Sequence, residues 1–418
     1  MRTSLQRLTQ LALLVSAAGS LFPLIYLRQN FELTLLDTLG ITLTELSECY
    51  AILGVTFILS YLPSGLLADR VQARGLIAFS LALTAILGSL LLTEPSITTL
   101  RLLFFGWGIS SGLTFWSALI KAVSLLAEPH EQGRYFGILD GGRGLVEAVL
   151  ATLAVLLFAR LLNASFEESE AMKWVIGFYL VNIVIHIPLT LLFVDAKSEQ
   201  HAAATTPRAM LTDIVSVLSN GRVWFCALSI LVCYQVFWTT YSLSAYLQEA
   251  FSASALAAAS LTVMKLWTRP LGATAAGFFG DHFGRYRTLA VFLISASLAV
   301  AFLALLPQGS SQWPVLIAIF TIGLTTYGLR GLYWSTLDDC GISNSSKGLA
   351  IGVISMIAYT PDIYLPLLNS ALLDAYPGRT GYAIYFLGIA AIGLVSGGVL
   401  IARSVPSSVA KAHSTAAH

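Results

Sequence analysis

The groups best equipped for chemistry in this chain are charged side chains set inside apolar runs. Asp140, Arg143 and Glu147 share one run; at 100° per residue, positions 143 and 147 fall within about 60° of 140, so the three occupy one helix face. Lys265 and Arg269 are one turn apart in another run, and Lys121, Arg330 and Asp362 lie in three more. An ionisable group in mid-bilayer costs about 2.5–3.5 kcal/mol even on the lenient insertion scale, so each is expected to face a cavity or a partner. Groups so placed can bind a charged solute or carry a proton. No Ser/His/Asp arrangement, metal-ligand cluster or phosphate-cradling loop is visible. The expectation is a protein that is not an enzyme and uses neither metal nor cofactor. His186, beside Pro188, reads as a packed, hydrogen-bonded histidine.

The composition says what must hold these groups. Of 418 residues, 56% are hydrophobic and 11% charged, and mean hydropathy is +0.79. A soluble domain carries about 25% charged residues, so this chain has too much apolar surface for one globular core. Disorder, a collagen-like fibre and a disulfide scaffold are excluded by the same figures. With Lys plus Arg at 23 and Asp plus Glu at 22, a nucleic-acid partner is not expected. Cys49, Cys226, Cys233 and Cys340 have no CxxC spacing and read as small buried hydrophobes. The lipid bilayer is the expected partner.

A bilayer core of about 30 Å needs about 20 apolar helical residues. Twelve stretches qualify: 9–29, 45–67, 75–94, 98–126, 134–159, 173–194, 223–248, 254–279, 287–306, 313–337, 347–372 and 381–403. The first resembles a signal peptide, with Arg2 and Arg7 before the apolar run, but it continues through Ile25 and reads as a retained helix. A polar connection lies between the sixth and seventh stretches, ending in an amphipathic piece (Met210, Leu211, Ile214, Val215, Leu218) expected at the membrane surface. This divides the chain into a six-helix bundle over 1–195, a linker over 196–222 and a second bundle with a tail over 223–418. With both termini cytoplasmic, the inner side holds Arg2, Arg7, Arg70, Arg74, Arg134, Lys197, Arg208, Arg222, Arg285, Arg287, Lys347, Arg403 and Lys411. The outer side holds only Arg28, Arg101, Arg160, Lys173 and Arg379, as the positive-inside rule requires.

Two of the inner loops repeat. Gly65-Leu66-Leu67-Ala68-Asp69-Arg70-Val71-Gln72-Ala73-Arg74 follows the second stretch, and Gly277-Phe278-Phe279-Gly280-Asp281-His282-Phe283-Gly284-Arg285-Tyr286-Arg287 follows the eighth. The spacing, about half the chain, points to an internal six-plus-six repeat. Both loops resemble the Gly-x-Leu-Ala-Asp-Arg-x-Gly-Arg-Lys signature of the major facilitator superfamily. The first copy departs from it, with Gln72 in place of glycine and Gly75 in place of a basic residue. The resemblance implies an all-α membrane protein with twelve transmembrane helices in two pseudo-symmetric six-helix bundles, moving a small molecule by alternating access. It also implies gating roles for Gly65, Asp69, Arg70, Gly277, Asp281, Gly284 and Arg285. Asp69 would latch onto the start of the eleventh helix at Ser345 and Ser346, and Asp281 onto the start of the fifth near Gly133. Gly65 by itself would permit close backbone approach. The run Gly137-Ile138-Leu139-Asp140-Gly141-Gly142-Arg143-Gly144 lacks the proline of the family's antiporter motif, which disfavours a multidrug exporter.

Two arrangements of the central charges remain open. In one, Asp140 or Glu147 pairs with Lys265 or Arg269, since the resemblance implies that helices five and eight pack across the halves. In the other, the surplus of cations (Lys121, Arg143, Lys265, Arg269 and Arg330, against Asp140, Glu147 and Asp362) receives an organic anion. Lys121 and Arg330, toward the inner third, could instead reach the surface. Gln235 and Trp238 are further candidates for contacting the solute. Asp140, Glu147 and Asp362 are candidates for proton coupling, and Pro361 and Pro366 can let the helix beside Asp362 bend. The expected function is proton-coupled transport of a small organic anion by a monomer in a cell membrane, with a bacterial inner membrane the expected site. An exporter of amphipathic compounds and a non-transporting receptor or scaffold are the rivals.

Overall fold

The computed structural model describes residues 4–93, 95–127, 132–194, 215–342 and 347–404, and within them every regular element is helical. Eleven helical runs are long and apolar enough to cross a bilayer. The twelfth crossing, expected as one helix over 254–279, is two shorter ones, Ala255–Leu266 and Arg269–Phe283. Pro270 sits in the first turn of the second piece, where its missing N–H costs nothing and its fixed φ favours a helix start. Lys265 and Arg269 flank the break. The tally of twelve crossings stands, but the eighth is discontinuous.

Other crossings are interrupted as well. The first consists of Ser4–Ile25, containing Pro23, and Arg28–Leu39, which is kinked at Phe31 (φ −135°). The first crossing therefore runs ten residues beyond the expected end at 29, and Arg28 lies inside the protein rather than in an outer loop. The fourth contains a π-helical segment, Ile109–Trp116. The seventh passes through a 3-10 turn at Thr239–Ser242 between Gly221–Trp238 and Leu243–Phe251. The eleventh is Lys347–Ala358 followed by Pro361–Ala375, with Pro361 at the start of the second piece, the bend anticipated beside Asp362. In a bilayer such irregular backbone is tolerated only where it is buried in protein or lines a water-filled cavity. Residues at several breaks, among them Ser110, Ser111, Thr239, Thr240 and Thr268, are accordingly buried inside the protein.

The crossings form two six-helix bundles. Crossing 1 packs on 5 and 6, and 3 on 6; in the second half, 9 packs on 10 and 12, and 8 on 10. The bundles touch through three seams: crossing 2 against 11, crossing 5 against 8, and the outer segment of crossing 1 against 7 and 8. The end bearing the termini is called the near end below. At the far end the seams are closed by hydrogen bonds. Ser244 Oγ donates to the Asn30 carbonyl at 2.8 Å, and Thr44 Oγ1 donates to Asp374 Oδ2 at 2.8 Å. Lipid offers helices no hydrophobic drive to associate, so close backbone contact at small residues supplies the packing. A Cβ on Gly54 would lie 2.9 Å from the Asp362 backbone, and one on Gly272 would collide with the Leu324 carbonyl.

The two signature turns differ as their sequences do. The second pivots on Gly284 at φ +93°, a conformation that favours glycine. The first, with Gln72 at that place, instead passes through extended Val71 and Gln72 (φ −116° and −61°). Gly65 and Gly277 do not make close approaches: a Cβ at either would meet nothing within 4 Å. The side chains of Asp69 and Arg70, and Ser343–Ser346, lie outside the described residues, as do 195–214, so those expectations rest on sequence. Asp281 is exposed. Arg285 donates from Nη1 to the Ser335 carbonyl at 2.7 Å and contacts Asp339 at 3.4 Å. His186 is hydrogen-bonded to Ser16 (2.8 Å) and the Asn182 carbonyl (2.7 Å), and the four cysteines are free and buried, all as expected.

These contacts set up a contrast between two glycines. Gly272→Ala is expected to destabilise the protein by about 1–3 kcal/mol through overpacking against backbone. Gly65→Ala is expected to be neutral or to stabilise by up to about 1 kcal/mol, since it removes only helical flexibility. Thermal unfolding in detergent micelles checks the ordering; equal effects would contradict the packing described.

Candidate functional site

The face shared by Asp140, Arg143 and Glu147 on crossing 5 meets Arg269 at the break in crossing 8. Arg269 Nη1 donates to Glu147 Oε2 at 2.5 Å, and Nη2 to Asp140 Oδ1 at 3.2 Å. Arg143 contacts the same two carboxylates from its own helix, at 3.3 Å to Asp140 and 3.7 Å to Glu147. Two guanidiniums and two carboxylates thus form one alternating cluster joining the halves. Gly144 makes room for it, because a Cβ there would strike Arg269 Cδ at 2.5 Å. The Asp140 side chain is 49% exposed and Glu147 18%, against 8% and 6% for the arginines. The acidic side of the cluster is therefore the more accessible one. Of the two lysine and arginine partners considered for these acids, Arg269 is the one used.

Lys265, one turn before Arg269, is wholly buried and has no carboxylate at ion-pair distance among the described residues. Its Nζ reaches only the Thr240 carbonyl, at 3.4 Å, and lies 6.0 Å from the Tyr327 ring centre. Arg330 likewise lacks a carboxylate partner among the described residues. Rather than reaching the surface, it lies across two rings of crossing 7, 4.4 Å from the Phe237 centre and 5.9 Å from that of Tyr234. The Tyr234 hydroxyl in turn donates to Asp362 Oδ1 at 2.7 Å, where Trp238 Nε1 also donates, at 2.6 Å. The Asp362 carboxylate, 5% exposed, is thus held by two neutral donors rather than by a cation. Gln235 is buried and accepts from the Tyr364 hydroxyl at 2.5 Å. Lys121 is drawn aside to the Ala68 carbonyl at 2.5 Å, near the first signature turn.

Aromatic side chains fill the space between these polar groups. Tyr26 stacks on Tyr241 across the halves at 5.0 Å and on Tyr50 at 5.8 Å. Toward the near end Tyr61 faces Tyr359 at 6.0 Å, and Trp334 Nε1 donates to the Tyr359 hydroxyl at 3.1 Å. Tyr61, Trp334, Tyr359 and Arg330 are partly exposed, whereas Tyr50, Trp238 and Arg28 at the other end are not. The passage is sealed on the far side.

One pair was not anticipated. Arg28 and Glu32, both fully buried, form a 2.5 Å ion pair on the outer segment of crossing 1. Arg28 lies 5.1 Å from the Tyr50 ring centre and 5.6 Å from that of Trp238. A break placed at 29 sends Arg28 to the outer loop. The available signal was the i, i+4 spacing of opposite charges beside a continuing apolar run.

A twelve-crossing fold with paired halves and a charged, aromatic central passage is the architecture of a membrane transporter. A family model described as Major Facilitator Superfamily matches residues 11–360, and the chain belongs to that superfamily. It is similar to the inner membrane protein YqcE of Escherichia coli (strain K12), 27% identical over 401 residues, covering 94% of this chain and 93% of that protein. The inner membrane protein YihN of the same strain is 25% identical over 403 residues, covering 93% of each. Among solved structures it resembles the nucleoside transporter NupG (TM-score 0.74, 15% identity, 95% of this chain and 99% of that one). It also resembles a bacterial homologue of the human lysosomal transporter Spinster, inward-facing and unoccupied (TM-score 0.71, 14% identity, 96% and 97%). At these identities the structural likeness establishes the fold, and the chain is a multi-pass membrane protein of a transporter family rather than an enzyme.

The inter-half cluster makes a direct prediction. Arg269→Gln leaves Glu147 and Asp140 short of a counter-charge and is expected to cost about 3–5 kcal/mol. Adding Glu147→Gln should recover most of that loss. A double-mutant cycle by thermal unfolding measures the coupling; simply additive losses would show that the 2.5 Å contact carries none.

Proposed function

We propose that the protein moves a small organic anion across a bacterial inner membrane by alternating access, coupled to protons. The observation that carries this reading is the charge distribution around the passage. Arg143 and Arg269 are matched by Asp140 and Glu147, and Arg28 by Glu32. Among the described residues, Lys265 and Arg330 are left without a carboxylate in contact, while Asp362 is satisfied by neutral donors. A carboxylate, sulfonate or phosphate ester entering from the near end would meet partly exposed Arg330 first and could supply the counter-charge that the protein withholds. Gln235 and Trp238 would flank it.

Asp362 is the carboxylate best placed to carry the coupling proton. It lies at the break in crossing 11, on the seam where its backbone meets Gly54 of crossing 2. Rocking of the halves, taken as bundles over 1–195 and 223–418 joined by 196–222, alters its solvation and hence its proton affinity. Asp140 and Glu147 serve the joint between halves, which must break and re-form as access alternates. In this reading the signature loops, with Gly65, Asp69, Arg70, Gly277, Asp281, Gly284 and Arg285, gate the near end; both termini are cytoplasmic, and a monomer suffices. The abundance of rings along the passage favours one second reading, export of amphipathic compounds. That reading requires neither Lys265 nor Arg330.

A thermal-shift screen of the purified protein against carboxylates, sugar acids, amino acids and nucleosides identifies the class of solute. In proteoliposomes, Lys265→Ala and Arg330→Ala should each weaken uptake of the responding anion by about tenfold or more, since hydrogen bonds to charged groups contribute about 1.5–3 kcal/mol. Unchanged uptake of every anion would overturn the proposal. Collapsing the proton gradient should slow uptake by the wild type, and Asp362→Asn should abolish that dependence.

A further inference from the structure

Among the described residues, the buried side-chain nitrogen and oxygen atoms without a hydrogen-bond partner include four on one short stretch of crossing 1. They are Arg28 Nε and Nη1, Asn30 Oδ1 and Glu32 Oε2, whereas the Gln29 side chain pairs with the Tyr327 hydroxyl. Leaving a buried polar atom unpaired costs about 1–3 kcal/mol, and native proteins rarely tolerate it. Three of the four are on the ion-paired side chains of Arg28 and Glu32 themselves, which marks the pair as a place for an occupant that hydrogen-bonds. The Tyr385 hydroxyl of crossing 12 is a further orphan, and it lies close enough to feel both charges of the pair.

Location says when that occupant arrives. The stretch packs against crossings 7 and 8 at the far-end seam, and Asn30 accepts the Ser244 hydrogen bond that helps close it. Opening the seam to the far side exposes these atoms to the passage. Chemistry says what the occupant is. The pair uses Arg28 Nη2 and Glu32 Oε1 on each other, leaving guanidinium donors and a carboxylate acceptor unpartnered on the two paired side chains. An anionic group would be repelled by Glu32 and a cationic one by Arg28. Neighbouring hydroxyls suit both, because each hydroxyl can accept from Arg28 and donate to Glu32. We infer that Arg28 and Glu32 form a solute subsite on the far side of the midplane that recognises adjacent hydroxyl groups. Trp238 links this subsite to the central site: its ring covers Arg28 at 5.6 Å while its Nε1 donates to Asp362 at 2.6 Å. The inference rests on the transport reading above and narrows its cargo to hydroxylated organic anions.

The test uses three probes on the full-length purified protein: D-gluconate, hexanoate (the same charge without hydroxyls) and xylitol (hydroxyls without charge). Apparent dissociation constants come from ligand-dependent thermal shifts. Gluconate is expected to bind about tenfold or more tighter than hexanoate, the worth of one charge-assisted hydrogen bond. Glu32→Gln should erase that advantage. Tyr385→Phe, which leaves the ion pair intact, should reduce it and guards against a folding defect in the first variant. Equal binding of gluconate and hexanoate, or a gluconate advantage that survives Glu32→Gln, overturns the subsite and leaves its orphan atoms to water alone. Xylitol binding that depends on Glu32, with neither anion binding, upholds the subsite and overturns the anionic cargo. No response to any of the three overturns the subsite.

Discussion

A charge taken into the low-dielectric interior of a membrane protein must find a counter-charge, a dipole or water, and much of this structure follows from meeting that demand. Arg269 shows how. It sits at a helix break in the second bundle and is neutralised by two carboxylates of the first, so the joint between the halves is ionic. A buried ion pair gains little net stability, because desolvation offsets attraction. In the alternating-access cycle proposed above, where the joint opens, that is an advantage. Apolar packing at the same place would add stability without being switched by water, whereas an ionic joint exchanges its partners for solvent as soon as solvent enters.

The helix interruptions belong to the same economy of polar groups. Pro23, Pro270 and Pro361 each withdraw a backbone N–H, and the interruptions beside them coincide with the charged and hydroxylated residues of the passage. A break places free backbone carbonyls beside side chains that need them, as the Thr240 carbonyl does for Lys265. Tyrosine and tryptophan complete the arrangement. Each presents an apolar ring to its neighbours and one polar atom to a carboxylate or hydroxyl. Asp362 can therefore be held inside the protein without a cation, leaving Lys265 and Arg330 without a carboxylate partner among the described residues.

Much of this was legible from the order of residues. Apolar run lengths and the asymmetry of Lys and Arg report transfer into lipid, which each segment undergoes on its own, so the count of crossings, the two halves and the duplicated signature could be read directly. Gln72 in place of glycine announced a different turn, and the φ of +93° at Gly284 against extended Val71 and Gln72 shows the difference. The i, i+3 and i, i+4 spacing of Asp140, Arg143 and Glu147 likewise put them on one face, because helical geometry is local. Partner choice was not local. That Arg269 rather than Lys265 takes the carboxylates, that Trp238 and Tyr234 hold Asp362, and that the Arg28–Glu32 pair is covered by Tyr50 and Trp238 each depend on which surfaces of different helices come into contact. The chain sets such contacts only once all its helices have packed.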